Sequence, residues 1–175
     1  DDAVLAQLET LCPLAPLHQP HNLAAVRAAQ AAFPDAVQVG SFDTAFHRSH
    51  PWVNDTFGLP RQFYEDGVRR YGFHGTSHEY VAQQAAEYCQ KPLEQCQLIS
   101  CHLGNGASIC AIKNGQSIDT SMGMTPLAGL VMGTRSGDLD PAIVLYLQNQ
   151  LGWDTAQCDA FLNKQSGLKG LCGSN

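Results

Sequence analysis

The chain has 175 residues, 44% of them hydrophobic and only 15% charged, with a formal net charge of −6. That much apolar material supports a packed core and excludes a disordered polymer, while the charge content falls below the roughly 25% of an average globular protein, as expected where further chain, a partner subunit or a ligand covers part of the surface. No Lys/Arg run offers a nucleic-acid footprint, no apolar stretch is long enough for a membrane span, and Asp1-Asp2-Ala3 has neither the basic start nor the apolar core of a signal peptide.

The first residue is not Met, so the chain is expected to begin internally or to have been trimmed. The seven cysteines are odd in number and form no CxxC pair. Reduced thiols in a cytoplasmic protein fit this better than a disulfide scaffold. Cys101 and Cys110 sit in apolar runs and are expected to be small buried residues.

In chain order, Cys12 to Pro20 carries three prolines besides Leu14, Leu17 and His18, and these forbid a helix there. Asn22 to Phe33 is Ala-rich and predicts a helix with Asn22 as N-cap, stopped by Pro34. Val37 to Phe42 reads as a short strand delivering Asp43 at its end, and residues 47–66 as a loop with short turns. Val68 to Tyr71 reads as another short strand. Thr76-Ser77-His78-Glu79 is a capping-box pattern for a helix running to about Cys89. Gln97 to His102, Ala107 to Lys113 and Gln116 to Thr120 read as strands, the last two joined by an Asn114-Gly115 hairpin turn. A Gly-rich stretch from Gly129 to Gly137 leads to a helix from about Asp140-Pro141 to Gly152, and Asp154 caps another to about Lys164. The tail is again Gly-rich. Hairpin strands interleaved with helices predict an α/β or α+β domain.

Four stretches carry groups fit for chemistry. Cys101-His102-Leu103-Gly104-Asn105-Gly106-Ala107-Ser108 puts two glycines around Asn105 at a strand-to-strand turn, either an ordinary hairpin or a nest of backbone N–H groups for an anion, with glycines allowing positive φ and close approach. Gly72-Phe73-His74-Gly75 places His74 before a helix N-terminus, where donors and the helix dipole favour an anion; local capping is the alternative. His74 and His78 have the i,i+4 spacing of some zinc sites, but no further ligand pattern completes the set. Arg135, in Met132-Gly133-Thr134-Arg135-Ser136-Gly137, is either a planar fork for phosphate or a structural partner of Asp138 or Asp140. Asp43, in Ser41-Phe42-Asp43-Thr44, has the place of a catalytic carboxylate or of a helix N-cap.

PLAPLH, FDTAFH, RRYGFHGTSH, CHLGNGAS, DTSMGMTPLAGLVMGTRSGDLDP and LNKQSGL occur in that order, and together they resemble the acetate kinase family from about Leu11 to the end. The resemblance implies a ribonuclease H-like α/β fold of the acetate and sugar kinase, Hsp70 and actin superfamily. It implies ATP/ADP and Mg²⁺, transfer of phosphoryl to acetate or propionate to give the acyl phosphate, and a cytoplasmic homodimer. By motif, His102, Leu103, Gly104, Asn105 and Gly106 match the phosphate-binding loop. His74 and Arg135 match groups on the transferring phosphoryl, and Asp43 matches the catalytic acid/base. His18 matches a histidine near the substrate phosphoryl site, and Leu17, Phe73 and Pro126 match the pocket for the acetate methyl. The family's metal-linked residues have no counterpart here.

The resemblance also implies that residues 1–175 are the central portion of a longer protein, running from the end of its N-terminal half into its C-terminal half and inactive alone. A carboxylate substrate is already ionised at neutral pH, so Asp43 is expected to orient Arg135 or a metal-bound water rather than act as a base. Two alternatives remain: a propionate or butyrate kinase, and a non-catalytic nucleotide-binding module of the actin and Hsp70 kind.

Overall fold

The computed structural model describes residues 2–14 and 18–173, which fall into two compact units, one ending at Ser41 and one starting at Phe42. In the first, helix α1 (Asp2–Glu9) packs on helix α2 (Gln19–Ala32) through the buried Leu5 and Leu23, with an Arg27–Glu9 ion pair at the rim. Helix α2 starts three residues before the expected Asn22 cap, with His18 at the N-cap position and Pro20 in its first turn. Proline is tolerated there because its missing N–H would have no intrahelical acceptor. The expected strand at Val37 to Phe42 does not form. No neighbouring strand offers a ladder, and Val37 and Val39 are exposed.

The second unit is built on three antiparallel strands in the order β1-β2-β3: β1 (Gln97–Leu103), β2 (Ala107–Lys113) and β3 (Gln116–Thr120). Asn114 and Gly115 both take positive φ, 55° and 78°, as a two-residue hairpin turn requires. The sheet packs against helix α5 (Gly75–Tyr88), whose buried stripe is Gly75, His78, Ala82 and Ala86, and against the 3-10 helix Ala45–Ser49. Ala82, Cys110 and Ile112 form one core cluster; Ala107, Met122 and Met132 form a second, joined by Phe73 and Leu130. Cys101 is exposed, against expectation. Alternation along β1 puts it on the outer face with Ile99 and Leu103, while Ser100 points inward.

Short helices α3 (Trp52–Asp55) and α4 (Arg61–Glu65) interrupt the expected 47–66 loop. Residues 68–71 form no strand: the Arg70 amide donates to the Asp55 carbonyl, and those of Tyr71 and Gly72 both donate to Gly123. Helix α6 (Ala142–Leu151) ends at Gly152 in the left-handed region, and helix α7 (Thr155–Lys164) opens on an Asp154 capping box with Gln157. A last helix, α8 (Gly167–Cys172), forms within the Gly-rich tail. Cys12, Cys89, Cys96, Cys101, Cys110 and Cys158 are free thiols. Among the described residues no helix is long and apolar enough to cross a membrane.

Candidate active site

The N-terminus of α5 carries the first functional group. His74 is its N-cap, held at φ 57° and ψ 23° with no cap from its own side chain. The expected Thr76 capping box is therefore absent, and capping comes from a distant segment instead. Asp43 Oδ2 accepts the His74 amide at 2.7 Å, and the Asp43 carbonyl accepts the Gly75 amide at 2.8 Å. A non-glycine residue in the left-handed region costs roughly 1–2 kcal/mol, and these two bonds hold it there. Asp43 thus holds the His74 backbone and forms no ion pair with Arg135 among the described residues, and it sits in a turn rather than at a strand end.

The preceding turn is fixed by His47. Its Nε2 lies 2.9 Å from the Phe73 carbonyl, and its Nδ1 lies 2.8 Å from Ser117 Oγ. A carbonyl only accepts, so Nε2 carries the proton; burial holds His47 below the ordinary imidazole range, which leaves Nδ1 to accept from Ser117. A Cβ at Gly72, where φ is 68°, would lie 2.6 Å from both the His47 ring and the Thr120 methyl. Only glycine passes there.

His74 stacks on His102, with ring centroids 3.9 Å apart and planes inclined by 17°. His102 Nδ1 is 3.0 Å from Ser77 Oγ, and His74 Nδ1 is 2.9 Å from Ser108 Oγ. Burial, then the neighbouring His102, lowers the His74 pKa; Asp43 opposes this and Arg135 adds to it. His74 is therefore neutral at physiological pH.

Gly106 joins this pair to Arg135. A Cβ there would stand 3.3 Å from Arg135 Nη1 and 3.5 Å from His74 Nε2. Arg135 Nη1 donates to the Pro126 carbonyl at 3.1 Å and contacts Met132 Sδ at 3.8 Å. No ion pair to Asp138 or Asp140 forms among the described residues; Asp138 instead accepts the Gly129 amide. Arg135 is half-buried, which lowers its pKa, yet a guanidinium stays charged. Its loop is fastened from outside: Ser166, Leu168 and Lys169 amides donate to the carbonyls of Thr134, Met132 and Gly133. Gly167 allows that approach, since a Cβ there would fall 2.1 Å from the Met132 carbonyl oxygen.

In the 102–106 turn one backbone donor is spent inside the turn. Gly104 donates to the Gly106 carbonyl at 3.0 Å within the turn, and the Asn105 carbonyl accepts the Gly133 amide at 3.0 Å, tying it to the arginine loop. Neither Gly104 nor Gly106 takes positive φ. Their use is clearance, at Gly106 above all. Leu103 is exposed on the outer face.

His74 and Arg135 thus meet at Gly106, with His102 stacked on His74 and Asp43 on the His74 amide. Phe73 packs on the Met132 cluster, and Pro126 buttresses Arg135. His18 lies exposed in the first unit, and Leu17 lies outside the described residues. Sequence reasoning did not foresee Ser108, Ser77 and His78 as hydrogen-bond partners around His74 and His102, although Ser108 lay in the quoted CHLGNGAS run. A hydroxyl two residues beyond the turn gave no sign that it would meet two imidazoles.

The family model described as the Acetokinase family matches residues 1–175. The chain belongs to the acetokinase family. It is 55% identical over 172 residues to Acetate kinase 1 of Vibrio cholerae, covering 98% of this chain and 43% of that protein. It is 56% identical over 173 residues to an acetate kinase of Sulfurovum, covering 98% and 44%. Among solved structures, a propionate kinase of Francisella tularensis superposes with TM-score 0.94 at 46% identity, over 99% of this chain and 45% of that one. The Porphyromonas gingivalis acetate kinase superposes with TM-score 0.90 at 46% identity, over 99% and 44%. The α/β fold is therefore that of the acetate and sugar kinases, and this acetokinase chain spans a little under half the length of these relatives.

Proposed function

We propose that the protein carrying this chain transfers the γ-phosphoryl group of ATP to the carboxylate of acetate, reversibly, giving acetyl phosphate and ADP. The observation that carries this is the meeting of Arg135 Nη1 and His74 Nε2 at Gly106. A guanidinium and a neutral imidazole N–H in one cleft suit the charge spread over the equatorial oxygens of a transferring phosphoryl. A carboxylate oxygen of acetate forms the new bond to γ-phosphorus, and the bond to the β–γ bridging oxygen breaks with its electron pair leaving on ADP. Acetate has lost its proton already, so no base is needed. Asp43 keeps His74 in place. His102, Leu103, Gly104, Asn105 and Gly106 lie along the ATP phosphates, with His102 supporting His74 by stacking.

Leu17, His18, Phe73 and Pro126 are assigned to the carboxylate substrate on the strength of their motifs. The solved propionate kinase neighbour supports propionate as a second substrate. One methylene in an apolar pocket is worth about 1–3 kcal/mol, so the preference between the two acids is mild. Mg²⁺ takes oxygen ligands, whereas this site offers imidazoles, a guanidinium and one carboxylate already accepting from His74. Among the described residues no group of three or more His, Cys, Asp or Glu side chains fits a metal. Residues 1–175 are assigned to the central portion of a cytoplasmic homodimeric kinase, across the end of one half and the start of the next; relatives more than twice as long support this.

Hydroxamate trapping of acyl phosphate, on the full-length protein with ATP, Mg²⁺ and acetate, propionate or butyrate, tests the proposal. Acetyl and propionyl hydroxamate are expected. Nucleotide binding without any acyl hydroxamate would favour a non-catalytic module instead.

A further inference from the structure

Behind His74 lies a chain of side chains that the transfer reaction does not use directly. Ser108 Oγ is 2.9 Å from His74 Nδ1 and 2.8 Å from His78 Nε2, and His78 Nδ1 is 2.9 Å from Ser100 Oγ. His78 and Ser108 are fully buried, and Ser100 is 6% exposed. Burial holds both rings below the ordinary imidazole range, His78 at about 4, so each carries a single N–H at neutral pH.

A hydroxyl has one proton and two lone pairs, so Ser108 donates to at most one ring. If both rings donated to it, the Ser108 proton would have no acceptor among the described residues, a costly arrangement for a buried hydroxyl. Two directions remain. In the first, Ser100 donates to His78 Nδ1, His78 Nε2–H donates to Ser108, and Ser108 donates to His74 Nδ1. His74 then carries its proton on Nε2. In the second, every bond reverses, His74 is protonated on Nδ1, and the Ser100 proton has no acceptor among the described residues. A buried hydroxyl without an acceptor is costly, so the first direction prevails.

We propose that Ser100, His78 and Ser108 are positioning residues that set the tautomer of His74, keeping its proton on Nε2, the nitrogen beside Gly106 and Arg135. His74 then donates into the cleft. Arg135 also only donates, so an anionic oxygen placed between them completes both. The use made of the proton rests on the phosphoryl-transfer reading; the tautomer itself does not.

The test is ¹⁵N-histidine NMR of the full-length protein, in which protonated and bare ring nitrogens resonate far apart, alongside kcat and KM for acyl phosphate formation. Wild type should show His74 with N–H at Nε2. Ser100→Ala, which touches His74 nowhere, should move part of the population to Nδ1–H and lower kcat several-fold with KM nearly unchanged. Ser108→Ala should lower kcat about tenfold, the size of one lost hydrogen bond. A wild-type His74 protonated on Nδ1 overturns the proposal even if a variant fails to fold, and so does a Ser100→Ala tautomer identical to wild type. The expected tautomers in a protein that forms no acyl phosphate would support the relay and refute the kinase function.

Discussion

His74 takes a backbone conformation that side chains avoid, and Asp43 keeps it there through the His74 amide. This makes Asp43 a positioning group, and its role can be separated from that of a base. Asparagine still presents an oxygen to that amide. Asp43→Asn should therefore keep far more kcat than Asp43→Ala, whereas a proton-abstracting carboxylate would lose the same from either change; steady-state kinetics on the full-length protein decides. Arg135 belongs to the same scale. Its Nη1 is pinned by the Pro126 carbonyl, and its charge cannot be supplied by a lysine of different reach and shape. Arg135→Ala should cost about 10³-fold in kcat with a smaller change in KM, and Arg135→Lys should recover little. A kcat within tenfold of wild type for either would contradict the assignment.

At the scale of elements, α5 and the 3-10 helix Ala45–Ser49 press imidazoles into the sheet. His47, His50 and His78 are all buried, and burial lowers all three pKa values, His78 to about 4. Well above pH 6.5 these rings are neutral whether folded or unfolded. Below it the unfolded chain takes up protons that the folded one refuses, so stability falls as pH drops from about 6.5 towards 4. His78 alone would account for on the order of 3 kcal/mol across that window. Urea unfolding at pH 7 and pH 4.5 should show a much lower midpoint at the acid pH, and His78→Phe should flatten the difference. The pairing of β1 to β2 and the arginine loop meet at Gly106, where an added Cβ would crowd Arg135 Nη1 at 3.3 Å and touch His74 Nε2 at 3.5 Å. Gly106→Val should fold and lose transfer activity, while Gly104→Val should be milder, since a Cβ at Gly104 meets only the Gly106 carbonyl, at 3.4 Å.

These elements also show what sequence could and could not reveal. The three strands, the Asn114-Gly115 turn and the Asp154 cap were legible because each is a local decision, made by alternation, by positive φ or by a side chain reaching its own backbone. Residues 37–42 and 68–71 have the composition of strands and are not strands, because a ladder needs a neighbour and composition does not supply one. The start of α5 misled for a related reason. Thr76 looked like a cap, but the cap arrives from Asp43, far back along the chain. Helix α8 was hidden by its glycines; its stability comes from donating to the Arg135 loop, a tertiary gain invisible to propensity.

At the scale of the second unit, three of the motifs that resembled a family converge in space. His74, His102, Gly106 and Arg135, from three separate stretches, meet at one place. What stayed illegible is the supporting layer of Ser77, Ser100, Ser108 and Ser117, whose hydroxyls set ring orientation. Serines carry no periodic signal and gain their meaning only from the rings that fold against them. The central claim is that Arg135 and His74 act on one phosphoryl group. The most direct measurement is a double-mutant cycle in kcat for acetyl phosphate formation by the full-length protein, comparing wild type, His74→Ala, Arg135→Ala and the double variant. Groups that act as a unit are strongly non-additive, so the double variant should fall far less than the product of the two single losses. Losses that simply multiply would show that the two residues act independently, and would contradict the shared site.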